Sequence, residues 1–362
     1  MKRYVAAVSC SALLLAGGWL NSASAQAGKA AAQKHIDIAK AAAYRPGHDL
    51  TALFERVCGP AITGKLSNQA PSRDPAPGST PFSSLEPPPP RSEWYFPASK
   101  VFDNLYWLGS YGDALSTPQI AGDSTWAVKT SEGIILIDTG QNFSAKELIT
   151  DGLKNVGLDP TQIKYVIITH AHSDRYWGAK YVQDTYKPRM ILSEADWHGI
   201  EISPDPNELK PKKDMVATDG MKLTLGDTTL TIYLTPGHTP GTISVLVPLK
   251  DGNQTHLGAV WGGINPNLYG HEVRNGPTFE AVLKTWSASA GRFIDIMNKA
   301  GADTYLTIHP FYDDALAKIH ALQYRKPGDP HPLVSKDNLN RFMTIIKECT
   351  DAQLPLVTAS SN

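Results

Sequence analysis

The sequence predicts an α+β protein in which two β-sheets are flanked by helices. Three observations carry that expectation. Short β-branched runs recur from Trp94 onward, amphipathic helices fall between them, and the composition is that of a globular chain, with 362 residues, 41% hydrophobic and 19% charged. These figures exclude a coiled coil, a collagen and a fully disordered chain. At this length one large domain or two ordinary ones can bury a core.

The first 25 residues read as a secretory signal peptide. Lys2 and Arg3 give a positive start, Val5 to Leu20 is an apolar run short for a membrane span, and Ala23-Ser24-Ala25 forms an A-x-A site before Gln26. Losing Lys2 and Arg3 takes the net charge from −1 to −3. The expected location is periplasmic or secreted, with no membrane association after cleavage. Lys212-Lys213 is the longest basic pair in the globular part, which gives nucleic acid no field to bind, so a small-molecule partner is expected. Cys10 leaves with the peptide. Cys58 and Cys349 remain, either as a disulfide or as two unrelated buried thiols.

Residues 26–91 read as an N-terminal extension. It has helical stretches at His35 to Ala43 and Asp49 to Val57, then a linker from Pro71 to Arg91 whose prolines cannot donate to a β-ladder. Residues 92–350 form the main domain and 351–362 a tail. Strands are expected at Val101 to Gly109, Ser124 to Thr130, Gly133 to Asp138 and Ile163 to Thr169, with an amphipathic helix at Ala145 to Val156. More strands follow at Met190 to Ser193, Leu223 to Leu225, Thr228 to Leu234 and Thr242 to Pro248. A long helix then carries Phe279, Val282, Leu283, Trp286, Phe293 and Met297 on one stripe. A strand at Thr304 to Ile308 and a helix at Asn338 to Cys349 complete the pattern.

Chemistry-bearing residues cluster at the ends of those strands. The run Ile163 to Thr169 opens into His170-Ala171-His172-Ser173-Asp174-Arg175. Two imidazoles at i and i+2 beside a carboxylate form a ligand set that suits zinc. Leu234-Thr-Pro-Gly-His238-Thr-Pro-Gly241 sets a further histidine between two Pro-Gly turns, and Tyr305-Leu-Thr-Ile-His309-Pro310 repeats the arrangement. Neither remaining cysteine lies near these motifs, so an open catalytic site is expected in preference to a closed structural one.

These motifs, with Leu-Ile-Asp138-Thr-Gly, resemble the metallo-β-lactamase superfamily, and the runs around His238, His309 and Cys349 are most similar to the third subclass of class B β-lactamases. The similarity covers roughly Trp94 to Cys349. It implies an αββα sandwich with two mixed sheets and a zinc cleft along one edge. It also implies a zinc-dependent hydrolase, most plainly a β-lactamase conferring antibiotic resistance, that opens the cyclic amide with a zinc-bound hydroxide. His170, His172 and His238 would hold the first zinc, Asp174 and His309 would belong to a second, Asp138 would support the ligand loop, and Asp174 would orient or deprotonate the nucleophile. The open alternatives are a hydrolase of other esters or lactones, and a zinc-binding protein whose catalysis is largely lost.

The sequence departs from the family where a second-site histidine is usual. Arg175 stands there, and a guanidinium has no lone pair to offer a metal. One zinc per chain is therefore expected, with the second site absent or weak and filled only at high zinc, and with Arg175 as a catalytic-site residue paired to Asp174 or to a substrate carboxylate. Thioesterase- and lactonase-type relatives commonly place a metal-bridging aspartate between the last two histidine motifs. Gly258 to Asn265 contains no acid, which favours β-lactamase-like chemistry. Tyr176, Trp177, Asn265, Asn267 and Tyr312 are the candidates for the substrate cleft.

Overall fold

The computed structural model describes residues 12–45, 48–66, 88–112, 122–266 and 277–360. Helix α1 (Ala12–Ala43) leads through the short strands β1 (Tyr44–Arg45) and β2 (His48–Asp49) to α2 (Thr51–Thr63). A first sheet follows, of β3 (Ser99–Phe102), β4 (Leu105–Trp107), β5 (Trp126–Thr130), β6 (Gly133–Ile137), β7 (Ile163–Ile167), β8 (Arg189–Ser193) and β9 (Met215–Ala217). Its strands lie side by side in chain order, antiparallel from β3 to β6 and parallel from β6 to β9. The second sheet is β10 (Met221–Leu225), β11 (Thr228–Leu234), β12 (Ile243–Asp251), β13 (Gln254–Val260) and β14 (Thr304–Tyr305), antiparallel except for the β13–β14 pair.

Alternation along the strands shows why two sheets must stack. On β6, Ile135 and Ile137 join a core shared with Ile232, Val245 and Val260 of the second sheet. Ile134 and Leu136 point the other way, into a second core with Val166, Ile168 and Val182. A strand buried on both faces needs helices outside. The outer layer of the first sheet holds α3 (Gly152–Asn155), α4 (Ser173–Tyr176), α5 (Ala179–Tyr186) and α6 (Glu194–Ile202). On the second sheet lie α7 (Phe279–Ala300) and α9 (Lys336–Ser360), with α8 (Ala315–Ala321) between them in sequence. The expected two-sheet sandwich flanked by helices is the observed architecture.

The details correct several expectations. The run Val101 to Gly109 is two strands, because Asp103-Asn104 turns the chain between β3 and β4. The helix expected at Ala145 to Val156 is a π-helical turn, Lys146–Asp151, running into α3. Strands β9 and β13 and helices α5 and α6 were not foreseen. The tail expected at 351–362 is helical to Ser360, as α9 continues through Pro355 and buries Ala352, Gln353 and Val357.

The N-terminal extension is part of the same body. Ile36, Ala39, Leu53, Phe54 and Val57 belong to the core that contains Phe342 and Ile346 of α9. Arg341 donates to the carbonyls of Ala42 and Ala43 at 2.6 and 3.2 Å, closing the C-terminal end of α1. Cys58 and Cys349 are joined in a disulfide with Cα atoms 4.6 Å apart. Helix α1 also runs on through Ala25-Gln26, the expected cleavage site. Lys2, Arg3 and most of the proline-rich stretch lie outside the described residues. Of that stretch, Pro89 is seen accepting a hydrogen bond from Trp94 Nε1. No helix among the described residues is long and apolar enough to cross a membrane.

Candidate metal centre

Two loops deliver three histidines to one edge of the sandwich. The Thr169 carbonyl, just past β7, accepts from the amide of Ile243, the first residue of β12, so the two sheets meet where the ligand loops leave them. His170 and His172 follow β7, and His238 sits in the turn between β11 and β12. The rings of His170, His172 and His238 have centroids 4.4 to 4.7 Å apart. His172 Nδ1 lies 3.1 Å from His238 Nε2, and one nitrogen from each of the three falls within 4.8 Å of the others.

The surroundings leave His170 and His238 in the form that could hold a metal. Burial, reinforced by the neighbouring His238 and His172, pushes His170 well below the usual imidazole range. Burial and His172 lower His238 to about 3. Both are therefore neutral near pH 7, the form that binds a metal. His238 Nδ1 donates to the carbonyl of Asn265 at 2.7 Å, which leaves Nε2 with its lone pair. His170 is set by a relay. Thr169 Oγ1 donates to Asp138 Oδ2 at 2.8 Å and stands 3.2 Å from His170 Nδ1, so it accepts from that ring nitrogen and leaves Nε2 free. Asp138 thus holds the loop that carries His170 and His172, through Thr169. It holds a left-handed backbone at φ 60° to do so and also accepts from the Thr169 amide at 2.7 Å. His170 and His238, neutral, buried and with their outer nitrogens occupied, fit zinc, and His172 brings a third ring nitrogen within reach.

Beside this trio a second group is arranged around a guanidinium. Arg175 has no exposed surface. Its Nη2 donates to Asp174 at 2.6 Å and to Asp123, and lies 3.4 Å from His309 Nε2. Its Nη1 donates to the Ile308 carbonyl at 2.9 Å and lies 3.6 Å from Asp138. Oxygens of Asp123 and Asp174 and a nitrogen of His309 converge within 4.8 Å, the spacing of a metal-ligand set, and Nη2 contacts all three. Burial would raise Asp174, but Arg175 and His309 outweigh it and hold this carboxyl well below its usual range. Burial lifts Asp123 well above, against the pull of Arg175. His309 is lowered to about 4 by burial and Arg175, and its Nδ1 donates to the Gly122 carbonyl at 2.9 Å.

Several site expectations change. Pairing of Arg175 with a substrate carboxylate is excluded by its complete burial, and the partners it has are Asp174, Asp123 and Asp138. Tyr176 and Trp177 do not line a cleft. Both are buried among Val166 and Ile168 and donate to Asp205, Trp177 at 3.2 Å. Tyr312 is buried against the His309 ring, with centroids 5.9 Å apart. Asn265 serves through its carbonyl on His238, and Asn267 lies outside the described residues. Asp123 and Asp196 were not anticipated. Asp123 precedes β5 with no histidine nearby to mark it, whereas Asp196 ends a Ser193-Glu-Ala-Asp196 pattern that reads as an ordinary helix cap.

Comparison with known proteins agrees with this geometry. Residues 122–251 match the family model of the metallo-beta-lactamase superfamily. Over 121 residues the chain is 29% identical to "Probable metallo-hydrolase YybB" of Bacillus subtilis, and over 111 residues it is 33% identical to the N-acyl homoserine lactonase AttM of Agrobacterium fabrum. Those stretches are 32% and 28% of this chain and span only 53% and 42% of the relatives' own lengths. Among solved structures, BJP-1, a subclass B3 metallo-beta-lactamase of Bradyrhizobium japonicum, superposes with a TM-score of 0.60 at 27% identity, over 74% of this chain and 97% of that one. Native FEZ-1 from Legionella gormanii shares the fold with a TM-score of 0.60 at 22% identity, over 74% and 98%.

Proposed function

From the premise that the chain carries a metallo-beta-lactamase superfamily domain, we propose that it is a zinc-dependent hydrolase that opens the cyclic amide of a β-lactam from a single metal site. The observation that carries the single-metal reading is the position of Arg175 Nη2, in contact with Asp123, Asp174 and His309 at once. A cation already occupies the centre of that group, and His170, His172 and His238 remain as the ligands for zinc.

Zinc, when bound, supplies an activated water and a Lewis acid for the scissile carbonyl. The protein's own groups do the remaining work. His170 and His238 present lone pairs from tautomers fixed by Thr169 and the Asn265 carbonyl, and His172 offers the third ring nitrogen. Asp174, held ionised by Arg175 and partly open to solvent, accepts a hydrogen bond from incoming water and orients it. Arg175 touches no substrate and acts by fixing Asp174.

The β-lactam is favoured over bridged two-metal chemistry by the packing behind His238. A Cβ added at Gly263 would fall 2.4 Å from His238 Cβ, and one at Gly262 would fall 2.0 Å from the Ile243 carbonyl oxygen. A bridging aspartate has no room at either position. The likeness to BJP-1 supports the same reading. A lactone is the second reading, favoured by the 33% identity to AttM. Export through the N-terminal signal accords with the Cys58–Cys349 disulfide, since such bonds persist in oxidising compartments.

The test is zinc content of the purified protein together with hydrolysis of a chromogenic cephalosporin and of an acyl homoserine lactone, before and after chelation. Cephalosporin turnover that disappears with the metal and returns with zinc, at about one ion per chain, is the expected result. Lactone turnover alone moves the substrate to the second reading, and bound zinc without either turnover leaves a binding protein. His172→Ala is expected to remove zinc and hydrolysis together, and a fully active variant would overturn the assigned ligands.

A further inference from the structure

The side chain of Asp196 has no exposed surface. Its Oδ2 accepts from the amide of Ala171 at 2.9 Å and from Thr239 Oγ1 at 2.5 Å, and its Oδ1 accepts from the amide of Gly241 at 2.7 Å. Ala171 stands between His170 and His172. Thr239 follows His238, and Gly241 closes the same turn. One carboxylate therefore holds the loop that carries two of the histidines and the loop that carries the third.

The local sequence explains how the acid comes to be there. Ser193 caps α6, its Oγ accepting from the Asp196 amide at 3.3 Å, and Asp196 is the acid three residues on. In a capping box that acid would return to the backbone of the cap residue. Here it reaches out of the helix to both loops. Gly241 permits the approach, since a Cβ there would fall 2.0 Å from Ser193 Oγ and 2.7 Å from Asp196 Oδ1. Three donors converge on the group, two backbone N–H and one hydroxyl. A carboxylate, which only accepts, satisfies all three, whereas an amide would turn its own N–H onto one of them.

We propose that Asp196 is a positioning residue for the metal site, fixing the separation of the two histidine loops and thereby the affinity for zinc. The proposal rests on the reading of His170, His172 and His238 as the zinc ligands.

The experiment is competition for Zn2+ between a chromophoric chelator and the full-length protein, comparing the native chain with Asp196→Asn and Thr239→Val. The thermal midpoint of each metal-free form is measured alongside. Asp196→Asn is expected to raise the zinc dissociation constant about 10- to 100-fold at unchanged saturating stoichiometry, the size of effect usual for groups that orient ligands. Thr239→Val, which removes one of the three bonds, is expected to give a smaller rise. Substituted with Co2+, the Asp196→Asn protein should show an altered visible spectrum. A dissociation constant within twofold of native in both variants overturns the proposal, even where the metal-free midpoint falls. Should Asp196→Asn fail to fold, Thr239→Val decides on the same criterion. A native protein that binds no zinc overturns the ligand assignment itself, which separates that failure from this one.

Discussion

Arg175 and His309 come from segments 134 residues apart, yet Nη2 of the first lies 3.4 Å from Nε2 of the second. The guanidinium nitrogen also contacts Asp123 and Asp174, so it stands among the three residues that a second ion would need. Arg175→His would exchange the guanidinium for a group with a lone pair while those three ligand-type residues stay in place. Zinc per chain, measured by elemental analysis after gel filtration, should rise from about one toward two. A ratio that stays at one would mean that something other than the guanidinium blocks the second ion.

The same cluster predicts the cost of losing the charge without replacement. Three carboxylates, Asp123, Asp138 and Asp174, lie within 4 Å of Arg175. Arg175→Met leaves them facing one another in a buried site, which should cost about 3–5 kcal/mol in the metal-free protein. Urea denaturation at pH 8 measures this directly. A loss under 1 kcal/mol would show that the carboxylates shed their charge at little expense.

The protonation state of Asp138 links stability and metal affinity in opposite directions. Burial lifts it from 3.8 to about 6, against the pull of Arg175. Between those values the folded chain holds a proton that the unfolded chain has released, so this residue's contribution to folding grows as pH falls from 6 toward 4 and is lost as pH rises through 6. The window is worth roughly 3 kcal/mol. Asp138→Asn should flatten that dependence and leave the metal-free protein at least as stable as native at pH 8. Zinc binding should weaken even so. An amide donates to Thr169 Oγ1, Thr169 then donates to His170 Nδ1, and the ring proton moves to Nε2 where a lone pair is needed. Denaturation at pH 4.5 and 8, with chelator competition at pH 8, checks both halves. Native zinc affinity in the variant would show that the Asp138–Thr169 pair does not set the tautomer.

What the sequence disclosed follows the range of the signal. The α7 stripe from Phe279 to Met297 and the histidines at strand ends are patterns within one segment, and each appears where expected. Tyr176 and Trp177 were misread as cleft residues for the converse reason. They follow the metal loop in sequence, but the turn of α4 aims both rings back at β7. Asp123 and Asp196 acquire their roles from partners 52 and 43 residues away, Arg175 and Thr239, which no local spacing reveals. Strand β13 was overlooked although Asp251-Gly252 marks its hairpin, because Gly258 interrupts the apolar run, and there Leu306 takes the space a side chain would fill.

The disulfide separates global stability from the metal site. Cys58 and Cys349 tie α2 to α9 across 291 residues of sequence, so the bond removes much freedom from the unfolded chain. Neither α1, α2 nor α9 carries a residue of the three-histidine trio, of its Asp138–Thr169 relay or of the Arg175 cluster. Reduction, or Cys349→Ala, should therefore cost about 2–5 kcal/mol. The thermal midpoint should fall by several degrees, at roughly 2–4 °C per kcal/mol for a chain of 150–250 residues and less for a longer one. Zinc stoichiometry and zinc affinity at 25 °C should stay at the native values. Scanning calorimetry with and without reductant, paired with the chelator titration, separates the two effects. A parallel loss of zinc affinity would mean that the α1–α2–α9 layer holds the ligand loops from behind, by way of α2 packed against the Pro310–Tyr312 turn that follows His309.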